Sequence, residues 1–212
     1  MIKTLPFEEH VAEYEEWFEK YNHVFLSEIF AIRELLPKGE NLYGLEVGAG
    51  TGRFSQALGI KEGVDPSVAM REIASKRGIN IMDGEVENLP YHDLSFDFVL
   101  MVFCISYFED LHKAFKETFR VLKHNSCLIL GFIDKNSLIG RYYESKRQKS
   151  VFYKHAIFYS VQKITNELKE VGFHQLQFSQ TLFHNLDEIK DIEIAEPGYG
   201  KGSFVLIKAI KK

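Results

Sequence analysis

The stretch LEVGAGTGRF, residues 45–54, decides the fold, because it predicts an apolar strand that turns through three glycines into a helix. Glycine allows a tight turn and a close approach of the backbone to a ligand, and the first turn of a helix offers unpaired N–H groups to an anion. Such a turn at the carboxyl end of a strand is typical of sheets that bind nucleotides. The stretch therefore predicts an α/β fold with a ligand site beside the glycines.

The spacing of the glycines distinguishes two classes of ligand. A dinucleotide fingerprint that starts at Gly48 needs its third glycine at position 53, where this chain has Arg53. Glu46 lies two residues before Gly48, and its carboxylate would repel a pyrophosphate. A ligand with a cation at this place fits better. S-adenosylmethionine (SAM) meets this requirement, because it brings an ammonium group for Glu46 and a carboxylate for the amides of the turn.

Short apolar runs alternate with amphipathic segments after the first forty residues. The runs predict strands over residues 43–47, 60–64, 79–82, 96–103 and 127–133, with helices over 54–58, 67–77, 110–122 and 160–171. Two further strands are predicted at 174–181 and 203–209, joined by a short possible helix at 187–194 and a turn-rich run. A parallel crossover needs more helix than this connection offers, so we expect an antiparallel pair there.

Two helices are predicted before the sheet, over residues 8–20 and 22–36, the second with Leu26, Ile29, Phe30 and Leu36 on its apolar face. The predicted fold is α/β, a doubly wound, mostly parallel Rossmann-like sheet with a C-terminal antiparallel strand pair and an N-terminal helical cover. We assign residues 1–42 to the cover and residues 43–212 to the SAM-binding domain.

The composition excludes several classes of protein. The chain has 212 residues, of which 45% are hydrophobic and 26% charged, so it is expected to be globular rather than disordered or fibrous. Its net charge of −4 argues against binding to nucleic acid through a generally basic surface. Cys104 and Cys127 are too few to support a disulfide scaffold, and no signal peptide or membrane helix is visible. We therefore expect a cytoplasmic protein with no membrane partner.

Four blocks in a fixed order resemble the class I SAM-dependent methyltransferases of the small-molecule type. They are LEVGAGTGRF, GVDPS at 63–67, the acidic and apolar run from 83 to 99, and the segment from Glu117 to Lys123. The resemblance extends from about Tyr43 through the rest of the chain. It implies that SAM is held by the following residues: Glu46, Gly48, Gly50 and Gly52 for the methionine part, Asp65 for the ribose, Glu85 and the Val86 amide for adenine, and Phe103 and Cys104 near the sulfonium.

The chain departs from this family after the fourth strand, where the family often has two histidines and this sequence has Ser106 and Tyr107. Tyr107 is the first candidate for a base or an orienting hydroxyl, with a helix-packing role as the alternative, and His155 is a weaker candidate. Aromatic residues in the cover and in residues 136–155 are expected to shape the acceptor pocket together with Ser106, namely Tyr14, Trp17, Tyr142 and Tyr143.

The predicted function is methyl transfer from SAM to a small-molecule acceptor by in-line displacement. Two alternatives stay open: a protein that binds SAM without turnover, and a nicotinamide-dependent oxidoreductase, which Arg53 and Glu46 disfavour. No metal site is predicted, because the histidines are scattered and none has a second histidine or a cysteine at ligand spacing. The sequence identifies neither the acceptor atom nor the oligomeric state.

Overall fold

The computed structural model describes residues 5–212, and within this range the strands form one eight-stranded sheet. The strands are β1 (Gly44–Val47), β2 (Glu62–Val64), β3 (Asn80–Met82), β4 (Phe96–Val102), β5 (Leu122–Ile133), β6 (His174–Thr181), β7 (Glu196–Pro197) and β8 (Phe204–Ile210). Their order is β3-β2-β1-β4-β5-β8-β6-β7. The first five are parallel, and β8 lies antiparallel between β5 and β6. The predicted fold class and the antiparallel pair are confirmed.

The helices of the described residues are α1 (Leu5–Glu9), α2 (Val11–Lys20), α3 (Asn22–Leu35), α4 (Arg53–Leu58), α5 (Val68–Lys76), α6 (Leu111–Val121), α7 (Leu138–Lys146) and α8 (Val161–Val171). Their ends follow local chemistry. Asp110 accepts a hydrogen bond from the Lys113 N–H at 3.0 Å and so caps α6, and Ser160 caps α8 in the same way. Gly172 ends α8 in the left-handed conformation, with φ of 112°.

Three sequence-based expectations were wrong in detail. The helix predicted over residues 8–20 is interrupted at His10 and forms α1 and α2. Residues 187–194 form no helix: a turn ends at Glu188 and the backbone that follows is irregular. The strand predicted from Cys127 begins at Leu122.

Helix α3 buries Ile29 as predicted, but most of its buried face differs from the predicted one. Phe30 is 46% exposed, and Leu26 is only half-buried. The face that packs against the sheet carries Val24, Ile32 and Leu35 together with a carboxylate, Glu28. A spacing of three and four residues was present on both faces, so the apolar count alone did not identify the buried one.

Hydrophobic cores lie on both faces of the sheet, as alternation along the strands requires. On one face, Val99 and Met101 of β4 pack with apolar residues of α6 and α8. On the other face, Leu100 and Val102 pack with α2, α3, α4 and α7. The N-terminal helices therefore cover the second face, although the division at residue 42 itself stays a prediction and residues 1–4 of the predicted cover lie outside the described range. Within that range, none of the helices combines the length and apolar character needed to span a bilayer.

Candidate active site

The glycine loop follows β1 at the carboxyl edge of the parallel strands. Gly48, Gly50 and Gly52 all have positive φ, at 66°, 53° and 76°, which side chains disfavour. The N–H groups of Gly48 and Ala49 donate to the Val64 carbonyl at 2.8 and 3.1 Å, which ties the loop to the end of β2. A Cβ at Gly48 would also collide with the Cβ of Cys104. The loop therefore needs glycine both for its backbone and for its packing.

Asp65 lies immediately after β2 and is 8% exposed. One carboxylate oxygen accepts from the Gly50 N–H at 2.8 Å, and the other accepts from the Ser67 N–H at 2.9 Å. Burial raises the pKa of Asp65, and the two amides oppose this shift. Each carboxylate oxygen can accept a further hydrogen bond, so the residue can still receive two hydroxyl groups.

Two of the residues predicted to hold the methionine part lie behind the loop. Glu46 is 2% exposed, and its carboxylate accepts hydrogen bonds from the hydroxyl and the N–H of Ser55 in α4. Burial raises its pKa to about 8. Gly52 faces Ala74 and Ile79. Neither Glu46 nor Gly52 lines the cavity described next, so their cofactor roles stay predictions.

A cavity of about 260 Å³ opens beside the loop at the carboxyl ends of the parallel strands. It brings together most of the predicted site residues: Tyr14, Trp17, Gly48, Gly50, Asp65, Glu85, Val86, Phe103, Cys104, Ser106, Tyr107 and Tyr143. Tyr142 is 54% exposed and His155 is also exposed, and neither contributes to the lining. The residues therefore form one continuous site with a polar end at Asp65 and Glu85 and an aromatic end at α2 and α7.

Phe103 and Cys104 turn the chain out of β4 above the loop. Phe103 adopts a φ of 62°, and its N–H donates to the Gly131 carbonyl at 2.9 Å. The Cys104 thiol donates to the Val47 carbonyl at 3.2 Å. Burial raises the pKa of Cys104 well above its ordinary value, so the thiol keeps its proton and is a wall of the cavity rather than a nucleophile.

Tyr107 lies in a short 3₁₀ turn after β4, and its ring packs edge-on to Phe7 with centroids 4.8 Å apart. Its hydroxyl donates to the Phe152 carbonyl across a long 3.5 Å. Burial raises the pKa of Tyr107 well above the ordinary value of a phenol, which makes proton abstraction by this group unfavourable. Of its two predicted roles, orientation of a ligand fits this environment and general-base chemistry does not.

Helix α2 contributes Tyr14 and Trp17 to the aromatic end of the cavity and lies beside the glycine loop. The Tyr14 hydroxyl is 3.3 Å from the position that a Cβ on Gly50 would take, so the ring rests beside the loop. Sequence reasoning missed the residue that holds the helix there. Glu15 accepts hydrogen bonds from Thr51, Arg53 and Arg77, and no local pattern predicts pairs separated by 36 to 62 residues.

The polar groups that line the cavity fit SAM better than a dinucleotide. Asp65 and Glu85 supply acceptors for hydroxyl and amine groups, and the loop has no side chains that would block a ligand. None of the described residues that line the cavity is Lys, Arg or His, which a pyrophosphate would call for. His112, Glu167 and Glu170 have possible metal-ligand atoms within 4.8 Å of one another, but none of them lines the cavity.

Comparisons with known proteins agree with this geometry. Residues 45–130 match the methyltransferase-domain family. A crystal structure from Thermotoga maritima, of a SAM-dependent methyltransferase described as a possible histamine N-methyltransferase, is 45% identical, covers 99% of this chain and 100% of that one, and has a TM-score of 0.95. An uncharacterized protein of Methanocaldococcus jannaschii is 42% identical over 97% of this chain and 98% of its own length. An uncharacterized methyltransferase of Oceanobacillus iheyensis is 30% identical over 57% of this chain and 56% of its own length.

Proposed function

The chain belongs to the class I SAM-dependent methyltransferases, and from this premise we propose that it methylates a small-molecule acceptor held in the aromatic end of the cavity by in-line displacement. One observation carries the proposal. The loop residues Gly48 and Gly50 and the aromatic residues Trp17 and Tyr143 line the same cavity, so a cofactor site and an acceptor site are continuous.

The residues proposed to hold SAM are those that line the polar end. Asp65 would accept from the ribose hydroxyls, Glu85 and the Val86 amide would meet adenine, and the amides of the loop would meet the carboxylate of the methionine part. SAM, when bound, supplies a methyl group on a positively charged sulfur. Phe103 and Cys104 would enclose the reacting end and exclude water from it.

Positioning is the main contribution that we propose for the protein. Holding two reactants in line can supply about 7–11 kcal/mol, whereas a general base adds about 3–5 kcal/mol. A site without an evident base is therefore compatible with turnover. Tyr107 and Ser106 would orient the acceptor, and Tyr14 and Trp17 of α2 would cover it. The proposal includes no metal ion, so chelation by EDTA should leave the rate unchanged.

The possible substrate of the Thermotoga maritima relative supports a small acceptor that contains nitrogen. The aromatic lining is consistent with such a ligand, because aromatic rings attract cations and stack with flat rings. The cavity volume of about 260 Å³ also favours a small molecule over a macromolecule.

Incorporation of labelled methyl groups tests the proposal. The full chain is incubated with methyl-labelled SAM and either histamine or a metabolite extract, with Asp65→Ala as the cofactor-site variant. We expect incorporation into a small molecule and its loss in the variant. Tight binding of SAM with no incorporation into any pool would favour a binding protein without turnover. Thermal stabilisation by NAD but not by SAM would contradict the cofactor assignment.

A further inference from the structure

Glu28 is a carboxylate without a partner inside the apolar face of α3. The side chain is 1% exposed, and its buried Oε2 atom has no hydrogen-bond partner among residues 5–212. Its neighbours on the same helix face, Val24, Ile32 and Leu35, are buried core residues. A buried ionisable group with no partner costs free energy, so its position calls for an explanation beyond packing.

The carboxylate lines the aromatic end of the cavity. Three aromatic side chains around it also line the cavity, and they form one cluster: the Tyr143 and Tyr153 rings lie 4.5 Å apart, and Phe158 lies 5.8 Å from Tyr153. Burial, together with the negative charge of Glu28, raises the pKa of Tyr153 to about 12 and also raises that of Tyr143. The two phenols therefore stay neutral, and neither is a charged partner for Glu28.

The charges of the side chains that line the cavity also favour a cationic ligand. Its described lining contains six acidic side chains and no Lys, Arg or His, the acids being Glu13, Glu28, Asp65, Glu85, Glu87 and Glu109. A carboxylate or phosphate on the acceptor would find no positively charged side chain in this lining. A cation would meet a desolvated carboxylate and the faces of aromatic rings, which is a strong recognition site for ammonium groups.

We propose that Glu28 anchors the methyl acceptor, which is a small organic cation whose charged nitrogen pairs with this carboxylate. The inference rests on the proposed methyl transfer and adds the acceptor class to it. A protonated nitrogen has no lone pair to attack a methyl group. The paired nitrogen is therefore an anchor, and the atom that is methylated is a second, neutral one elsewhere in the acceptor.

Pairing of an ammonium group with Glu28 should release a proton, which a purely structural role of Glu28 would not do. Burial raises the pKa of Glu28 well above its ordinary value. The groups that face it, Tyr143 and Tyr153, keep their protons. An ammonium group that pairs with Glu28 therefore displaces a proton to the buffer, and the measured heat of binding depends on the ionisation enthalpy of that buffer.

Calorimetry on the full chain with saturating S-adenosylhomocysteine tests the inference. The probes are two pairs of similar size and shape in which an ammonium replaces a hydroxyl group: 2-phenylethylamine against 2-phenylethanol, and benzylamine against benzyl alcohol. We expect the amine of a pair to bind about tenfold more tightly than the alcohol and to release a proton. Glu28→Gln should remove both the preference and the proton release while leaving alcohol binding unchanged. Glu34→Gln, an exposed site on the same helix, is the matched control and should change neither.

The outcomes separate this inference from the function on which it rests. An amine preference that Glu28→Gln retains, or equal binding of amine and alcohol by the native chain, overturns the role of Glu28 and leaves methyl transfer standing. Failure of the native chain to bind S-adenosylhomocysteine overturns the proposed function and this inference with it. Circular dichroism and S-adenosylhomocysteine affinity establish that the variant is folded, and Glu28→Ala serves in its place if Glu28→Gln is not.

Discussion

The Glu15 carboxylate lies 2.8 Å from the Nη2 atom of Arg53, so an acid of the cover helix is joined to the first residue of the helix that follows the glycine loop. The same carboxylate accepts from the Thr51 hydroxyl at 2.5 Å and from Arg77. One side chain thus connects α2 to the loop, to α4 and to the end of α5. We expect this connection to help hold α2 beside the site.

Glu15→Gln should loosen the cover and weaken the binding of S-adenosylhomocysteine. Although burial opposes it, hydrogen bonds from Arg77, Arg53 and Thr51 lower the pKa of Glu15 to about 2 from an ordinary 4.5. Its stabilisation is therefore complete above pH 4.5 and is lost as the pH falls toward 2. We expect a loss of about 1 kcal/mol at pH 7, after allowance for partial exposure. Thermal melts and hydrogen exchange in α2 measure it.

The control for this change is Glu19→Gln, because Glu19 contacts Arg53 at 2.9 Å but its side chain is 75% exposed. The free energy of unfolding of that variant should lie within about 0.5 kcal/mol of that of the native chain. If both variants lose equal stability, the network around Glu15 is not what holds the cover.

Asp65→Ala should weaken the binding of SAM by at least about thirtyfold, because the variant loses the proposed ribose acceptor and releases the Gly50 N–H from its 2.8 Å hydrogen bond. Equilibrium binding of S-adenosylhomocysteine measures the effect. Glu62→Gln, a change at the half-buried first residue of β2 and outside the cavity lining, is the comparison and should bind as the native chain does. Unchanged affinity in Asp65→Ala would remove Asp65 from the cofactor site.

Tyr107→Phe should reduce kcat by less than about tenfold and leave the pH profile unchanged. The raised pKa of Tyr107 and its long contact to Phe152 leave the hydroxyl an orienting role at most. Steady-state rates between pH 6 and 9 measure this, with the acceptor identified by the labelling experiment. A loss of about a hundredfold or more, or the disappearance of a basic limb, would instead place proton transfer at this residue.

Gly48→Ala should destabilise the fold more than Gly59→Ala, although the two glycines have similar φ values of 66° and 78°. Both changes place an alanine in the left-handed region, at about 1 kcal/mol. Only at position 48 does the added Cβ meet the Cys104 side chain, whereas nothing lies within 4 Å at position 59. We expect a further loss of about 1–3 kcal/mol at position 48 in urea unfolding. Equal losses of stability in the two variants would mean that the loop moves away from Cys104 at no cost in free energy.

Glu28→Gln should raise the stability of the free protein at pH 7–8. The pKa of Glu28 is raised in the folded state, so the native chain loses stability as the pH rises above the ordinary carboxylate value of 4.5. The amide carries no such penalty, and we expect a gain of about 1 kcal/mol, or about 2–4 °C in melting temperature. The gain should shrink toward pH 4.5. A variant that is less stable at every pH would indicate that the carboxylate supports the fold.

The parts of the molecule that sequence reasoning predicted are those with local causes. The glycine loop, the helices that follow Asp110 and Ser160 and the strand from His174 to Thr181 depend on neighbouring residues, and the structure has them where they were expected. Which helix face is buried depends instead on the surface that receives it, which explains the error over Phe30 in α3.

The candidate site was only partly predictable for the same reason. Two adjacent residues of α7 differ in their environment, since Tyr143 lines the cavity while Tyr142 is 54% exposed. Glu15 and Glu28 act on residues far along the chain, and nothing in the segment around Glu15 indicates its role. A charged residue at the spacing of Val24, Ile32 and Leu35 was the one available signal for Glu28.

The place of β8 in the sheet has a consequence for the order in which the chain assembles on the ribosome. β8 follows every other strand in the sequence, yet it pairs with both β5 and β6 in the interior of the sheet. Until it emerges, one edge of each of these strands is unpaired and open to neighbouring chains. The nascent protein therefore cannot close its sheet before β8 has left the ribosome, and this step depends on contacts between distant residues.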